Sequence, residues 1–252
     1  MVFVRSLIFL LLQIVITPVF TVVALLSFPL HPIMRYRLIS GWALTMLWLL
    51  RIVCGIRMEV RGAENIPKQP CILLCKHQSA WETIALQAIF SWRTSFVYKR
   101  ELHWLPFFGW GIALMPFVAI DRGAGKEALN QVAERGKARL AEGYSVIIFP
   151  EGTRVAPGQK KRYKIGGAYL AVRAGAPVVP VALNSGEFWR RKAFLKRPGM
   201  VTISIGPAID PAGLSADDVA QRAETWIENE MQRISPHLYR HEGQEPAAQA
   251  TA

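Results

Sequence analysis

Residues 7–30 are predominantly apolar and carry no charged side chain. No other feature restricts the possible folds so strongly. As a single helix the run is about 36 Å long, enough to cross a hydrocarbon core of about 30 Å. Arg5 in front of it resembles the basic flank of a secretory signal, but the run is too long for one and no small-x-small cleavage site follows. The expectation is an uncleaved membrane anchor. A second apolar stretch, residues 38–54, holds Trp42, Trp48 and a single Arg51. It reads as a second inserted helix or an interfacial one, the alternative being a buried core hairpin. Arg35 and Arg37 between the stretches favour a cytoplasmic side, whereas Arg5 opposes a one-pass orientation. Two helices dipping into one leaflet reconcile both.

Charge sharpens this reading. The formal net charge is +12, and no acidic residue precedes Glu59. A basic chain that is 52% apolar favours an anionic partner: a phospholipid surface, a phosphorylated substrate or nucleic acid. Nucleic acid is set aside, because no recognition-helix motif or aromatic RNA-binding string accompanies the basic residues. The three cysteines, Cys54, Cys71 and Cys75, form no disulfide framework. Their spacing with His77 does not suit a zinc knuckle, so they read as ordinary strand residues.

From residue 56 the pattern alternates between the two regular periods. Strands are expected at 56–62, 70–75, 94–98, 115–120, 144–149, 177–183 and 200–205, and helices at 80–90, 126–142, 166–174 and 215–234. Strands separated by helices imply an α/β fold: a mixed β-sheet flanked by helices, carrying an N-terminal hydrophobic, membrane-associated helical segment. The expected organisation is that segment over 1–55, a catalytic-size α/β domain over 56–240, and a disordered polar tail over 241–252.

Two strings carry chemistry. In His77-Gln78-Ser79-Ala80-Trp81-Glu82 the histidine follows a strand, so its ring stands at the carboxyl end of the sheet, where open α/β sheets hold ligands. A neutral imidazole can take a proton from a hydroxyl, and a carboxylate can fix its tautomer. On one continuous helix His77 and Glu82 would diverge by about 140°. They meet only if His77 precedes the helix and Glu82 lies in its first turn, with Ser79 as cap. Ser79-x-x-Glu82 is also a capping box, in which Glu82 would merely bond the Ser79 backbone.

The second string, Phe149-Pro150-Glu151-Gly152-Thr153-Arg154, puts a guanidinium on a glycine-bearing turn after a strand, a bidentate partner for phosphate. Arg122, after another strand, adds a cation at the same sheet edge. Lys160, Lys161, Arg162 and Lys164 follow without an acid, as a solvated loop or a membrane-contacting patch. The aromatic stretch 104–110 dips into lipid or is hydrophobic core. No G-x-S-x-G elbow, P-loop or dinucleotide fingerprint is present, and direct attack by a substrate hydroxyl is the simplest scheme.

These residues resemble the bacterial 1-acyl-sn-glycerol-3-phosphate acyltransferases of the glycerolipid acyltransferase superfamily. His77–Glu82 corresponds to the family's His-x4-Asp block. Residues 117–122 resemble its second block, residues 149–154 match the third at every position, and 178–182 resemble the fourth. Residues 163–166 are similar to a Phe-Lys-x-Gly element beyond the third block. Two departures stand out: glutamate at position 82, one methylene longer than the usual aspartate, and Lys76 where asparagine is frequent.

The resemblance implies transfer of a fatty acyl group from acyl-CoA or acyl-carrier protein to the sn-2 hydroxyl of lysophosphatidic acid, giving phosphatidic acid. His77 would be the base and Glu82 its support. Arg122, Glu151, Gly152, Thr153, Arg154 and Lys164 would hold the substrate phosphate. No metal or redox cofactor is implied, and the expected location is the cytoplasmic face of a bacterial inner membrane, in contact with its lipid. Two alternatives stay open: another lysophospholipid or an ornithine lipid as acceptor, and a non-catalytic lipid-binding membrane protein.

Overall fold

The computed structural model describes residues 1–90 and 93–239; the tail over 241–252 lies outside the described residues. Seven strands form one sheet: β1 (Ile56–Arg61), β2 (Ile72–Cys75), β3 (Thr94–Lys99), β4 (Val118–Ile120), β5 (Ser145–Ile148), β6 (Val178–Leu183) and β7 (Gly199–Ile205). Their order is β1-β7-β6-β2-β5-β3-β4. All neighbours are parallel except β6 and β7, which run antiparallel, so the sheet is mixed.

The central strands read as continuous apolar runs because both of their faces are covered. Leu73 and Cys75 of β2, Ile147 of β5 and Val179 of β6 point into one core, and their neighbours Ile72, Leu74, Val146, Ile148 and Val178 into the other. The first core is closed by α1 (Val2–Leu26), α2 (Pro32–Ile52) and α3 (Trp81–Ile89). The second is closed by α5 (Lys126–Ala141), α6 (Gly166–Ala174) and α7 (Ala216–Ile234). A short α4 (Phe108–Ala113) leans on α1.

The second apolar stretch is a layer of this core. Helix α2 buries Tyr36, Ala43, Met46, Leu49 and Leu50, each worth about 1.5–3 kcal/mol for a large apolar side chain. The Tyr36 hydroxyl lies 2.9 Å from Thr94 Oγ1 and accepts the Thr94 N–H at 3.1 Å, which pins α2 to β3. That side matches the core-hairpin alternative, while Met34, Leu38, Leu44, Trp48 and Ile52 stay exposed on the other. Among the described residues only α1 is long and apolar enough to cross a bilayer.

Helix α1 spans 25 residues rather than the predicted 7–30, because Pro29 and Pro32 break the run. Pro32 then opens α2 at its first position, with His31 as cap. One side of α1 is fixed to the body: Ser6 Oγ accepts the Lys196 N–H at 2.9 Å, and Thr21 Oγ1 donates to the Phe107 carbonyl at 3.0 Å. The other side exposes Leu11, Ile14, Val15, Val19 and Val22, an apolar face that suggests membrane association.

Two local readings differ in detail. The expected strand over 115–120 shrinks to Val118–Ile120, since the preceding aromatic stretch folds as α4 after a turn with Phe107 at φ 62°. Of the three buried free cysteines, only Cys75 is a strand residue proper; Cys71 immediately precedes β2, and Cys54 closes the turn after α2.

Candidate active site

Strands β6, β2 and β5 are adjacent and parallel, so the loops at their carboxyl ends converge on one edge of the sheet. Strand β2 delivers Lys76 and His77, β5 delivers 149–154, and β6 delivers Asn184 and Ser185. His77 lies before α3, and Glu82 is the second residue of that helix. This is the placement the pair requires.

His77 Nδ1 lies 2.8 Å from Glu82 Oε2. The helix-cap role is present as well, since Glu82 accepts the Ser79 N–H at 2.7 Å and the Gln78 N–H at 3.0 Å on Oε1. The Ser185 hydroxyl also donates to Oε1. Cap and dyad are thus one arrangement: the backbone and Ser185 hold a fully buried carboxylate whose other oxygen faces the imidazole. Helix α3 begins one residue later than expected, with Ala80 at its cap position, and Ser79 Oγ accepts from the Trp81 N–H at 3.1 Å. The Phe149 ring stacks on the imidazole with centroids 3.9 Å apart and planes at 17°. With Nδ1 engaged and one ring face covered, Nε2 is the nitrogen left for the cavity that His77 lines.

That cavity holds about 490 Å³. Its apolar lining includes Phe20 of α1, Trp42 of α2, Phe108 and Ile112 of α4, and Met115. Leu105, Phe107 and Phe108 border the cavity while Trp104 stays exposed. The same lining carries the cations Lys99, Arg122, Arg154, Arg191 and Lys192, and Thr153. Burial lowers the guanidinium pKa of Arg122 and of Arg154 from the usual arginine value. An anion in place of the lost water restores that stabilisation.

The third string forms a tight turn, closed by Gly152 N–H donating to the Phe149 carbonyl at 3.0 Å. Gly152 has φ 68°, and a Cβ there would come within 2.9 Å of Lys164 Cε, so the turn demands glycine. The Gly152 carbonyl accepts from Arg122 Nη1 at 2.6 Å, which brings the second and third strings together.

The six residues expected to hold phosphate do not form one group. Arg122, Thr153 and Arg154 line the His77 cavity; Gly152 and Lys164 line a neighbouring one. Glu151 lines neither, and its assignment to phosphate is corrected. It is fully buried, its Oε2 accepts the His77 N–H at 3.0 Å, and its Oε1 lies 3.2 Å from Lys76 Nζ. Burial pushes its carboxyl up to about 8, against the opposing pull of Lys76. A buried carboxyl turned away from the cavity holds the His77 backbone, not an anion.

Sequence reasoning missed most of this support. Lys76 is fully buried and donates to Glu228 of α7 at 2.6 Å, and Tyr163 donates to the same Glu228 oxygen at 2.9 Å. Lys76 thus links the β2 loop, the β5 turn and the last helix. Its lone position beside His77 was the available signal; Glu228 and Ser185, 152 and 103 residues from their partners, gave none.

The chain is similar to several known proteins. A family model described as Acyltransferase matches residues 57–184. The chain is 46% identical to a 1-acyl-sn-glycerol-3-phosphate acyltransferase of Pseudomonas aeruginosa, over 88% of this chain and 89% of that one. It is 32% identical to the Homo sapiens 1-acyl-sn-glycerol-3-phosphate acyltransferase alpha, over 80% and 72% of the two chains. In fold it is similar to the crystal structure of the 1-acyl-sn-glycerophosphate acyltransferase PlsC of Thermotoga maritima. The TM-score is 0.76 at 24% identity, covering 92% of this chain and 95% of that one.

Proposed function

The chain belongs to the 1-acyl-sn-glycerol-3-phosphate acyltransferases, and from that premise we propose how its residues divide the work. The acceptor is 1-acyl-glycerol-3-phosphate, and the donor is a fatty acyl thioester of coenzyme A or acyl-carrier protein. The acceptor phosphate lies at Arg154 and Arg122, and its sn-2 hydroxyl meets His77 Nε2. As the hydroxyl oxygen attacks the thioester carbonyl, its proton passes to Nε2. Glu82 stabilises the resulting imidazolium through Nδ1–H. Collapse of the tetrahedral intermediate forms the ester, breaks the carbon–sulfur bond and returns the proton to the departing thiolate. The products are phosphatidic acid and free thiol.

One observation carries this reading. A histidine held at Nδ1 by a buried carboxylate, 2.8 Å away, lines a cavity whose other walls combine cationic and apolar side chains. That polarity matches a phosphate-bearing substrate and an acyl chain meeting at one base. The exposed apolar face of α1 and the basic surface suit a seat on the cytoplasmic face of a bacterial inner membrane, from which an amphiphilic acceptor enters laterally.

The test is phosphatidic acid formation by purified protein supplied with lysophosphatidic acid and an acyl thioester. His77→Ala should lower kcat by about 10²–10⁴, the usual share of a general base. Equal turnover by the wild type and His77→Ala refutes the assignment of the base, and absence of phosphatidic acid with the wild type refutes the reaction.

A further inference from the structure

A second cavity of about 410 Å³ adjoins the first, and Val97, Arg122 and Phe149 line both. Its floor is apolar, formed by Ile120, Leu129, Val132, Ile148 and Ile165. Its polar side chains are three cations, Arg122, Lys126 and Lys164, and no acidic residue lines it. Neither Lys126 nor Lys164 makes an ion pair among the described residues. Like charges around one hollow repel. Lys126 is additionally the first residue of α5, where the helix dipole opposes a cation. Chain folding alone gives no return for this arrangement; an anion between the three cations does.

Resting on the acyl transfer described above, we propose that this cavity holds the phosphate end of the acyl donor, the phosphopantetheine arm that coenzyme A and acyl-carrier protein share. The reaction unites two phosphate-bearing substrates at one imidazole. The His77 cavity has its own cations for the acceptor, Arg154 among them. The second cavity adds Lys126 and Lys164, and Val97, Arg122 and Phe149 line both cavities. Phe149 is the ring stacked on His77, so an arm seated on Lys126 and Lys164 lies one side chain from the base. The apolar floor suits the branched methyl groups next to the phosphate of pantetheine. Arg122, shared by both cavities, neutralises charge from either side.

The experiment uses the full chain in detergent micelles, with Lys126→Gln, Lys164→Gln and the double variant. Both lysines are exposed, and unchanged melting temperatures confirm that the variants fold. Lysophosphatidic acid is varied against acyl-CoA and, separately, against acyl-carrier protein. KM for the donor should rise about tenfold per lysine, the worth of one charge-assisted contact, while KM for lysophosphatidic acid stays within about twofold. Loss with both donors marks the shared arm; loss with one identifies that donor as the occupant. Calorimetry with free coenzyme A should show the same weakening in the variants when coenzyme A is the donor. A rise in KM for lysophosphatidic acid with the donor unaffected overturns the proposal, placing the acceptor here. Unchanged kinetics and unchanged coenzyme A binding in folded variants also overturn it. Failure of the wild type to form phosphatidic acid is a different result: it refutes the reaction, and the calorimetry then decides on the cavity.

Discussion

Replacing Glu82 with glutamine separates helix capping from chemistry, because the structure dictates how the new amide must sit. Three donors converge on Oε1: the Gln78 and Ser79 N–H groups and the Ser185 hydroxyl. Oε2 faces His77 Nδ1 at 2.8 Å and receives a longer bond from the Ser79 N–H at 3.0 Å. An amide has one oxygen, and it must take the Oε1 position. Its NH₂ then points at Nδ1 and donates to it. Nδ1 becomes an acceptor, the ring proton moves to Nε2, and the nitrogen facing the cavity can no longer take a proton from the acceptor hydroxyl. The equivalent change in a serine-protease triad lowers kcat about 10⁴-fold through the same wrong tautomer.

Glu82→Gln should therefore reduce kcat by about 10³–10⁴, or roughly 4–5.5 kcal/mol at 1.36 kcal/mol per decade. KM for lysophosphatidic acid should barely move, since the phosphate contacts are untouched. The fold should lose only about 1–3 kcal/mol, the cost of one mismatched buried polar contact. Ser185→Ala is the matching control: it removes one donor from Oε1, leaves the Nδ1 contact in place, and should cost less than about tenfold in rate. Thiol release at saturating substrates, with melting temperatures in parallel, reads all three proteins. A folded Glu82→Gln enzyme with kcat within tenfold of the wild type would show Glu82 to be a cap alone and refute the dyad.

The other predictions concern the groups around that pair. Arg154→Ala should raise KM for lysophosphatidic acid about 10–100-fold, the worth of a charge-assisted phosphate contact, with a smaller change for the thioester in the same kinetic assay. Lys76→Met leaves Glu151 and Glu228 without their buried cation and should cost about 3–5 kcal/mol. At about 2–4 °C per kcal/mol, melting should fall by roughly 10 °C, and Lys76→Met/Glu228→Gln should recover part of the loss. Glu151 makes stability depend on pH: its folded value of about 8 lies above the unfolded 4.5, so the folded state holds the proton more tightly. That contribution is fully present below pH 4.5 and is lost as pH rises through about 8, up to about 5 kcal/mol in all. Thermal melts from pH 5 to 9 should fall along this window in the wild type and flatten in Glu151→Gln; equal slopes would contradict it.

What the sequence disclosed and what it withheld follow the range of the interactions. The strands of the central sheet, the helices between them and the His77-before-helix geometry were legible because each rests on local periodicity or on residues within one turn. Helix α2 stayed open between lipid and core because an apolar helix in either place has the same composition, and only the tertiary partners of Tyr36, Met46 and Leu50 put that side in the core. Glu151 was misassigned for a related reason. Its string identifies a phosphate turn, yet the turn aims Thr153 and Arg154 at the cavity and Glu151 back at Lys76, and side-chain direction on a turn is set by what packs behind it. What packs behind it is Glu228, on a helix beyond residue 184 where the family model ends. The site is therefore completed by a part of the chain that carries no motif, and a buried cation beside the base was the one local sign that such a partner had to exist.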